Sequence, residues 1–185
     1  MMRRTRRWLG LSTLSCLALF IGLHEVTAQT SAPAQAMASN RGMVEITVKG
    51  KKISIDYGRP ELKGRDMLGM APAGFVWRFG MNESTTLKTE ASLVFGKAKL
   101  PKGSYSAWAK HVEGDKWSLI FNKEVGVWGM PGAKRENDVL EVPFTYTKGN
   151  PSVERFIIEL KSEGDGGRLT ATWGPHKLEA TFKTE

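Results

Sequence analysis

Apolar and polar residues alternate with a period of two from Met43 onward, and this pattern constrains the fold more than any other feature of the chain. Successive side chains of a β-strand point to opposite faces, so each alternating run predicts a strand with one buried face. No run keeps a helical period for three turns. The predicted strands lie at 44–48, 53–57, 117–121, 140–146, 156–160, 169–173 and 178–182.

Glycine-containing turn sequences separate these runs, at 49–51, 96–97, 113–115 and 174–175. Pro143 lies inside a run and has no N–H to donate, which predicts an edge strand or a bulge there. Many short strands at this spacing indicate an all-β fold. We expect a single-domain antiparallel β-sandwich with jelly-roll-like topology, large enough to bury a core without disulfides or metals.

Two long loops interrupt the alternation, at 58–74 and 122–138, each with 17 residues of Gly, Pro and charge around a few large apolar side chains. Loops longer than about 12–15 residues are uncommon in compact domains unless they bind or cover something. Met67, Leu68, Met70 and Trp128 favour docking over free movement. Either the loops plug one end of the sandwich, or they form a binding site there.

The first 28 residues have the three parts of a cleaved export signal. Arginines at 3–7 precede an apolar run at 8–23, and small residues follow at 26–28. The apolar run is shorter than the roughly 20 residues that a membrane-spanning helix needs. We therefore expect a signal peptide at 1–28, a flexible leader at 29–42 and the β-domain at 43–185, in a periplasmic or secreted bacterial protein. A lipoprotein linked through Cys16 fits worse, because the apolar run continues past it.

Cleavage after Ala28 would change both the net charge and the number of cysteines in the chain. Removal of four arginines and Glu25 lowers the formal net charge from +8 to +5, and removal of Cys16 leaves no cysteine. This excludes disulfides, a cysteine nucleophile and cysteine-bound metal from the mature domain. The remaining lysines are scattered, which favours a solvated basic surface over nucleic-acid binding. We expect no nucleic-acid partner and no transmembrane segment in the mature chain.

The densest group of polar and aromatic side chains lies at 75–83, with the sequence FVWRFGMNE. If this segment is extended, its aromatic residues face the core while Arg78 and Asn82 face the opposite side. Arginine offers a planar fork for a carboxylate or phosphate, and asparagine offers a donor and an acceptor. Gly80 leaves room for a ligand or another backbone. Alternatively, Arg78 pairs with Glu83 or Asp66 and holds the first long loop in place.

Seven short blocks carry a family resemblance, and they follow one another at 57–60 (YGRP), 63–65 (KGR), 76–86 (VWRFGMNESTT), 100–106 (LPKGSYS), 117–123 (WSLIFNK), 127–129 (VWG) and 137–139 (NDV). Together they resemble the bacterial family named domain of unknown function 2911. The resemblance implies an exported β-rich protein with no established activity. Gly58, Phe79 and Met81 replace the Ser, Thr and Ala of the family pattern, and Ala133-Lys134-Arg135 occupies the region of a family Tyr.

The positions that match the family pattern with polar or aromatic side chains are our candidate ligand-binding residues. They are Arg59, Lys63, Arg65, Trp77, Arg78, Asn82, Glu83 and Trp128. We expect a non-catalytic domain that uses them to bind a polar ligand, such as a glycan or a cell-envelope component, without cofactor or metal. Two alternatives stay open: a hydrolase with Asp66 or Glu83 as acid/base, and a structural module of the cell envelope.

Signatures of catalysis are scarce in the sequence. His111 and His176 lie near predicted strand ends with no acid or second histidine at ligand spacing, which indicates surface or turn positions rather than metal ligands. No nucleophile elbow, phosphate-binding loop or zinc-protease motif occurs. Trp108 alternates with Tyr105 and Ala107, so it is either an exposed stacking platform or buried between two layers.

Overall fold

The computed structural model describes residues 40–185, which form ten β-strands and one short 3-10 turn at Arg135–Asn137. The expected signal peptide at 1–28 and most of the expected leader lie outside the described residues. The first strand begins at Arg41, two residues inside the expected leader. The strands are β1 (Arg41–Val48), β2 (Lys51–Gly58), β3 (Val76–Trp77), β4 (Thr85–Thr89), β5 (Leu93–Phe95), β6 (Ala98–Leu100), β7 (Gly103–Glu113), β8 (Lys116–Asn122), β9 (Asp138–Glu163) and β10 (Gly166–Thr184).

All strands join one large antiparallel sheet in the order β1-β2-β4-β7-β8-β9-β10-β5-β6, with β3 paired to β7. The all-β antiparallel prediction is confirmed. Sandwich and jelly-roll are finer descriptions than this strand order, and they stay predictions. Between residues 40 and 185, no helix has the length and apolar character that crossing a bilayer requires.

The two ends of the sheet contribute to one shared hydrophobic core. Inward side chains of β2 meet those of β9, and the rings of Tyr57 and Phe156 lie 5.7 Å apart, edge to face. At the other end, the rings of Phe95 and Phe121 are 5.5 Å apart. Burial of each such side chain stabilises the fold by about 1.5–3 kcal/mol. The alternation in the sequence therefore identified the core-facing positions correctly.

The turn prediction at 174–175 is wrong, because β10 continues through these residues as a bulged strand. Its pairing with β9 shifts register on both sides of Gly174, which has a φ of +59°. A glycine in this conformation serves a β-bulge as well as a hairpin turn, so sequence alone does not separate the two. The turns predicted around Gly50, Gly96 and Gly114 are confirmed.

The prediction of an edge strand at Pro143 is wrong, because β9 lies between β8 and β10 in the sheet. Pro143 pairs with Ser118 of β8, while the pairing of β9 with β10 includes Thr145 but not Pro143. At Pro143, β9 therefore pairs only with β8. The missing N–H of the proline interrupts no hydrogen-bond ladder with β10 there.

Residues 59–75, which we call the first loop, contain no named strand and dock against β9. The backbone N–H of Phe156 donates to the Pro60 carbonyl at 2.8 Å, and Leu62 N–H donates to the Glu154 carbonyl at 2.9 Å. Glu61 forms an ion pair with Arg155. Backbone hydrogen bonds to a strand fix this loop in place, as its apolar residues predicted.

Residues 123–137, which we call the second loop, cover the outer face of β7 and β8. Trp108, Ile120 and Ala133 form a small buried cluster there, separate from the main core. The Trp108 indole N–H donates to Ser106 Oγ at 2.8 Å, and the Arg135 guanidinium lies 5.0 Å from the ring centroid. Trp108 is therefore buried beneath the second loop, and the interpretation of this residue as an exposed platform is wrong.

Candidate functional site

The segment 75–83 is not extended throughout, because the backbone turns tightly after Val76–Trp77. Only Val76–Trp77 is strand, and Phe79 and Asn82 have φ values of 54° and 62°. A left-handed conformation is strained for a bulky residue such as phenylalanine, at about 1–3 kcal/mol. Thr85 holds it, because its hydroxyl donates to the Phe79 carbonyl at 2.5 Å. The alternation of side chains in the sequence cannot reveal such a turn.

Trp77 lies against the core and supports this turn from below. Its ring stacks on Trp173 at 5.2 Å between centroids and meets Phe156 edge to face at 4.9 Å. Its indole N–H donates to the Gly80 carbonyl at 3.0 Å. With both ring contacts and the N–H used internally, Trp77 packs and positions the turn, and it offers no polar edge to a ligand.

Arg78 connects the turn to the second loop. Its Nη1 donates to the Asn82 carbonyl at 3.1 Å. A Cβ added at Gly129 would lie 2.5 Å from the same Nη1, so the guanidinium occupies the space beside this glycine. Within residues 40–185, no carboxylate forms an ion pair with Arg78. The expected pairing of Arg78 with Glu83 or Asp66 is therefore not what fastens the loop.

Glu83 and Trp128 meet across the site as an isolated antiparallel bridge. Directly beside it, the Ser84 N–H donates to the Val127 carbonyl at 2.8 Å. Directly opposed residues of an antiparallel pair point to the same face, so the carboxylate and the indole project together. Trp128 is 57% exposed. Glu83 is also exposed, and it has no ion pair in the part of the chain that the structure describes.

The three remaining candidates take part in other contacts. The Arg59 N–H donates to the Asn40 carbonyl at 2.7 Å, and its buried Nε has no hydrogen-bond partner among the described residues. Lys63 donates its backbone N–H to Glu154 Oε1 at 2.8 Å, and Arg65 Nε contacts a carbonyl within the first loop at 3.5 Å. The structure thus brings together Arg78, Asn82, Glu83 and Trp128 above Trp77, with Lys63 and Arg65 on the first loop.

A hydrogen-bonded chain of three side chains, which sequence reasoning missed, joins the first loop to β9 and β10. His176 is 1% exposed, and its Nε2 lies 2.6 Å from Asp66 Oδ1. Its Nδ1 lies 2.7 Å from the Tyr146 hydroxyl. A carboxylate only accepts, so Nε2 carries the proton that Asp66 accepts. The expectation that His176 is a surface or turn residue without an acid partner is wrong.

The surroundings of Asp66 and Tyr146 shift the pKa of each side chain. Burial alone would raise the pKa of Asp66, but hydrogen bonds from the Gly69 N–H and from His176 outweigh it and lower that pKa below its ordinary value. Burial raises the pKa of Tyr146, and the nearby Asp115 and Asp66 carboxylates add to the effect. At neutral pH, Asp66 is a carboxylate, whereas a glycosidase acid needs a raised pKa. This is evidence against Asp66 as the proton donor of a hydrolase.

His111 is half-buried and fastens the other end of the first loop. Its Nδ1 lies 2.8 Å from the Ala71 carbonyl, and its Nε2 lies 2.8 Å from the Gly114 carbonyl. Its ring stacks on Trp117 with centroids 4.8 Å apart. Among the residues from Asn40 to the C-terminus, no group of three histidine or acidic side chains is arranged to hold a metal ion.

Comparison with known proteins gives a family but no activity. The family model described as "Protein of unknown function (DUF2911)" matches residues 39–182, a range that contains all eight candidate residues and both loops. No curated protein and no solved structure matches the chain. The match includes all of β1 and ends at residue 182 inside β10, and it agrees with the short blocks noted in the sequence. The chain therefore belongs to the DUF2911 family.

Proposed function

We propose that this protein is exported from a bacterium and binds a glycan-type polar ligand, without catalysis, at the surface formed by Asn82, Glu83 and Trp128. We call these three residues the Trp128 surface. One observation carries the proposal: the Trp128 side chain is 57% exposed although its backbone is fixed by the bridge to Glu83. Export rests on the N-terminal sequence pattern.

An exposed tryptophan on a fixed backbone is suited to stacking on a sugar ring. The indole combines a large apolar face with one N–H donor, and most proteins bury such a face or use it for binding. The neighbouring Glu83 carboxylate offers acceptors for ligand hydroxyl groups. This pairing of an apolar face with hydrogen-bond acceptors matches the alternating C–H and O–H groups of a sugar.

Preorganisation supports the same proposal. The second loop is held at the surface by the Ser84 N–H, which donates to the Val127 carbonyl. Beneath it, Arg78 contacts Gly129 and the Asn82 carbonyl. A loop that is already ordered loses little conformational entropy on binding, which raises affinity without further contacts. Trp77 and Arg78 thus serve the site as supports, while Trp128 and Glu83 contact the ligand.

The test compares two exposed residues of the second loop. The mature domain is titrated calorimetrically against a panel of neutral and acidic oligosaccharides, including peptidoglycan fragments. We expect Trp128→Ala to weaken binding of the best ligand by about tenfold or more. Met130→Ala is the matched control, because this side chain is 88% exposed on the same loop and makes no bridge. Absence of binding across the panel, or equal affinity for wild type and Trp128→Ala, would refute the proposal.

A further inference from the structure

A groove along the outer faces of β1, β2 and β4 begins beside Glu83, at the edge of the Trp128 surface. Its first part has a volume of about 220 Å³ and contains Glu83, and its second part has a volume of about 340 Å³. Both parts are lined by Ser54 and Lys88, so they adjoin. The Trp128 surface is therefore one end of a longer concave strip.

The length of the strip follows from strand geometry. It extends from Glu83 along β4 to Glu90, and seven steps of about 3.3 Å give roughly 23 Å. Several consecutive sugar residues of an extended chain fit such a length, whereas a single sugar covers only the end near Trp128.

The charges that line the groove balance one another. Arg41, Lys52 and Lys88 provide the cations, and Asp56, Glu83 and Glu90 provide the carboxylates. Arg41 forms an ion pair with Asp56, and the Lys52 backbone N–H donates to Glu90 Oε2 at 2.9 Å. The Lys52 ammonium also forms an ion pair with Glu45 at 3.1 Å. Within the described chain, Lys88, Glu83 and Glu90 have no ion pair, which leaves one cationic donor and two carboxylates available to a ligand.

Hydroxyl groups lie between these charges, on Ser54, Thr86 and Ser104. A lining that offers both donors and acceptors, with three cations and three carboxylates, complements a neutral, hydroxyl-rich chain. A polyanion would meet as many carboxylates as cations, so electrostatic complementarity does not favour it.

We propose that this groove binds successive sugar residues of a neutral, extended glycan whose end stacks on Trp128. The inference rests on the proposed function and adds the chain length and the neutral character of the ligand. Affinity then increases with the length of the oligosaccharide, because each further sugar residue adds hydrogen bonds in the groove.

The experiment measures affinity as a function of ligand length. The probes are oligomers of β-1,4-linked glucose, mannose and N-acetylglucosamine, each from dimer to hexamer. For at least one backbone, we expect the hexamer to bind wild type about tenfold more tightly than the dimer. Ser54→Trp places an indole where the two parts of the groove adjoin. It should abolish the gain with length and leave dimer affinity unchanged. Lys88→Trp, at an exposed position that lines both parts, is the second blocking variant.

Thr145→Trp is the matched control, since Thr145 is an exposed strand residue of β9 outside the groove. It should keep the full dependence on length. Equal affinity of wild type for the dimer and hexamer of every backbone that binds would overturn the groove and leave the Trp128 surface intact. Failure of all these oligomers to bind would overturn the groove proposal, whereas the Trp128 surface is decided by the wider oligosaccharide panel. Tighter binding of oligogalacturonate than of every neutral hexamer would overturn the neutral character of the ligand.

Discussion

Gly129→Ala tests the link between the Arg78 side chain and the second loop. A methyl group at this position would lie 2.5 Å from Arg78 Nη1 and 2.8 Å from Cζ, closer than atoms in contact can approach. Gly129 does not have a positive φ, so the backbone itself accepts alanine. The guanidinium must move, and its bond to the Asn82 carbonyl at 3.1 Å is then lost.

The expected loss in the free energy of unfolding follows from the Arg78 hydrogen bond that Gly129→Ala removes. Because the atoms in the way belong to the far end of a flexible side chain, displacement of Arg78 relieves most of the overlap. A hydrogen bond from a charged donor contributes about 1.5–3 kcal/mol, and partial exposure of Arg78 places it at the low end. We expect a loss of about 1–2 kcal/mol in the free energy of unfolding. For a domain of this size, that corresponds to roughly 2–8 °C in Tm.

The assay is a double-mutant cycle in urea. Arg78→Ala alone should destabilise the domain by a similar amount, and Gly129→Ala should cost almost nothing in the Arg78→Ala background. The free energies come from linear extrapolation of unfolding curves. Val125→Ala, at an exposed position of the same loop, is the control and should stay within about 0.5 kcal/mol. Additive losses in the cycle would refute the contact between Arg78 and Gly129.

Three further predictions concern the core, the buried histidine and export. Trp77→Ala should lower the free energy of unfolding by about 3–5 kcal/mol, measured in urea, and a loss under 1 kcal/mol would place Trp77 outside the core. Because the folded pKa of Asp66 is lowered, its stabilisation is present above the unfolded pKa of about 3.9 and is lost as pH falls through the lower folded value. The stability difference between wild type and Asp66→Asn should therefore shrink below about pH 4, and a difference independent of pH would contradict the bond to His176. Mass spectrometry of the exported protein should find Gln29 as the first residue, and an intact N-terminus would contradict cleavage.

The sequence predicted those features of the fold that depend on a single residue or a single strand. The alternation of apolar residues placed the strands of the core, because the two faces of a strand follow directly from backbone geometry. Likewise, Met67 and Leu68 predicted a docked first loop, and Leu68 is buried.

The sequence could not predict the features that depend on tertiary contacts. The left-handed turn at Phe79 is held by Thr85, and the bulge at Gly174 becomes visible only in the pairing of β10 with β9. Asp66 and His176 are 110 residues apart, so spacing gave no sign of their hydrogen bond. The one local feature beside His176 is the preceding Gly174-Pro175 pair, and this pair is as typical of a turn as of the observed bulge.

The most direct test of the Trp128 surface is a two-dimensional NMR titration of the indole N–H signals. The chain has six tryptophans, and five of them lie among the described residues 40–185. Trp128→Ala assigns one signal by its disappearance. With the tightest-binding oligosaccharide of the panel, we predict a large shift for Trp128, while the signals of the other four, at 77, 108, 117 and 173, stay in place. A titration that shifts any of those four and leaves Trp128 unmoved would contradict the account.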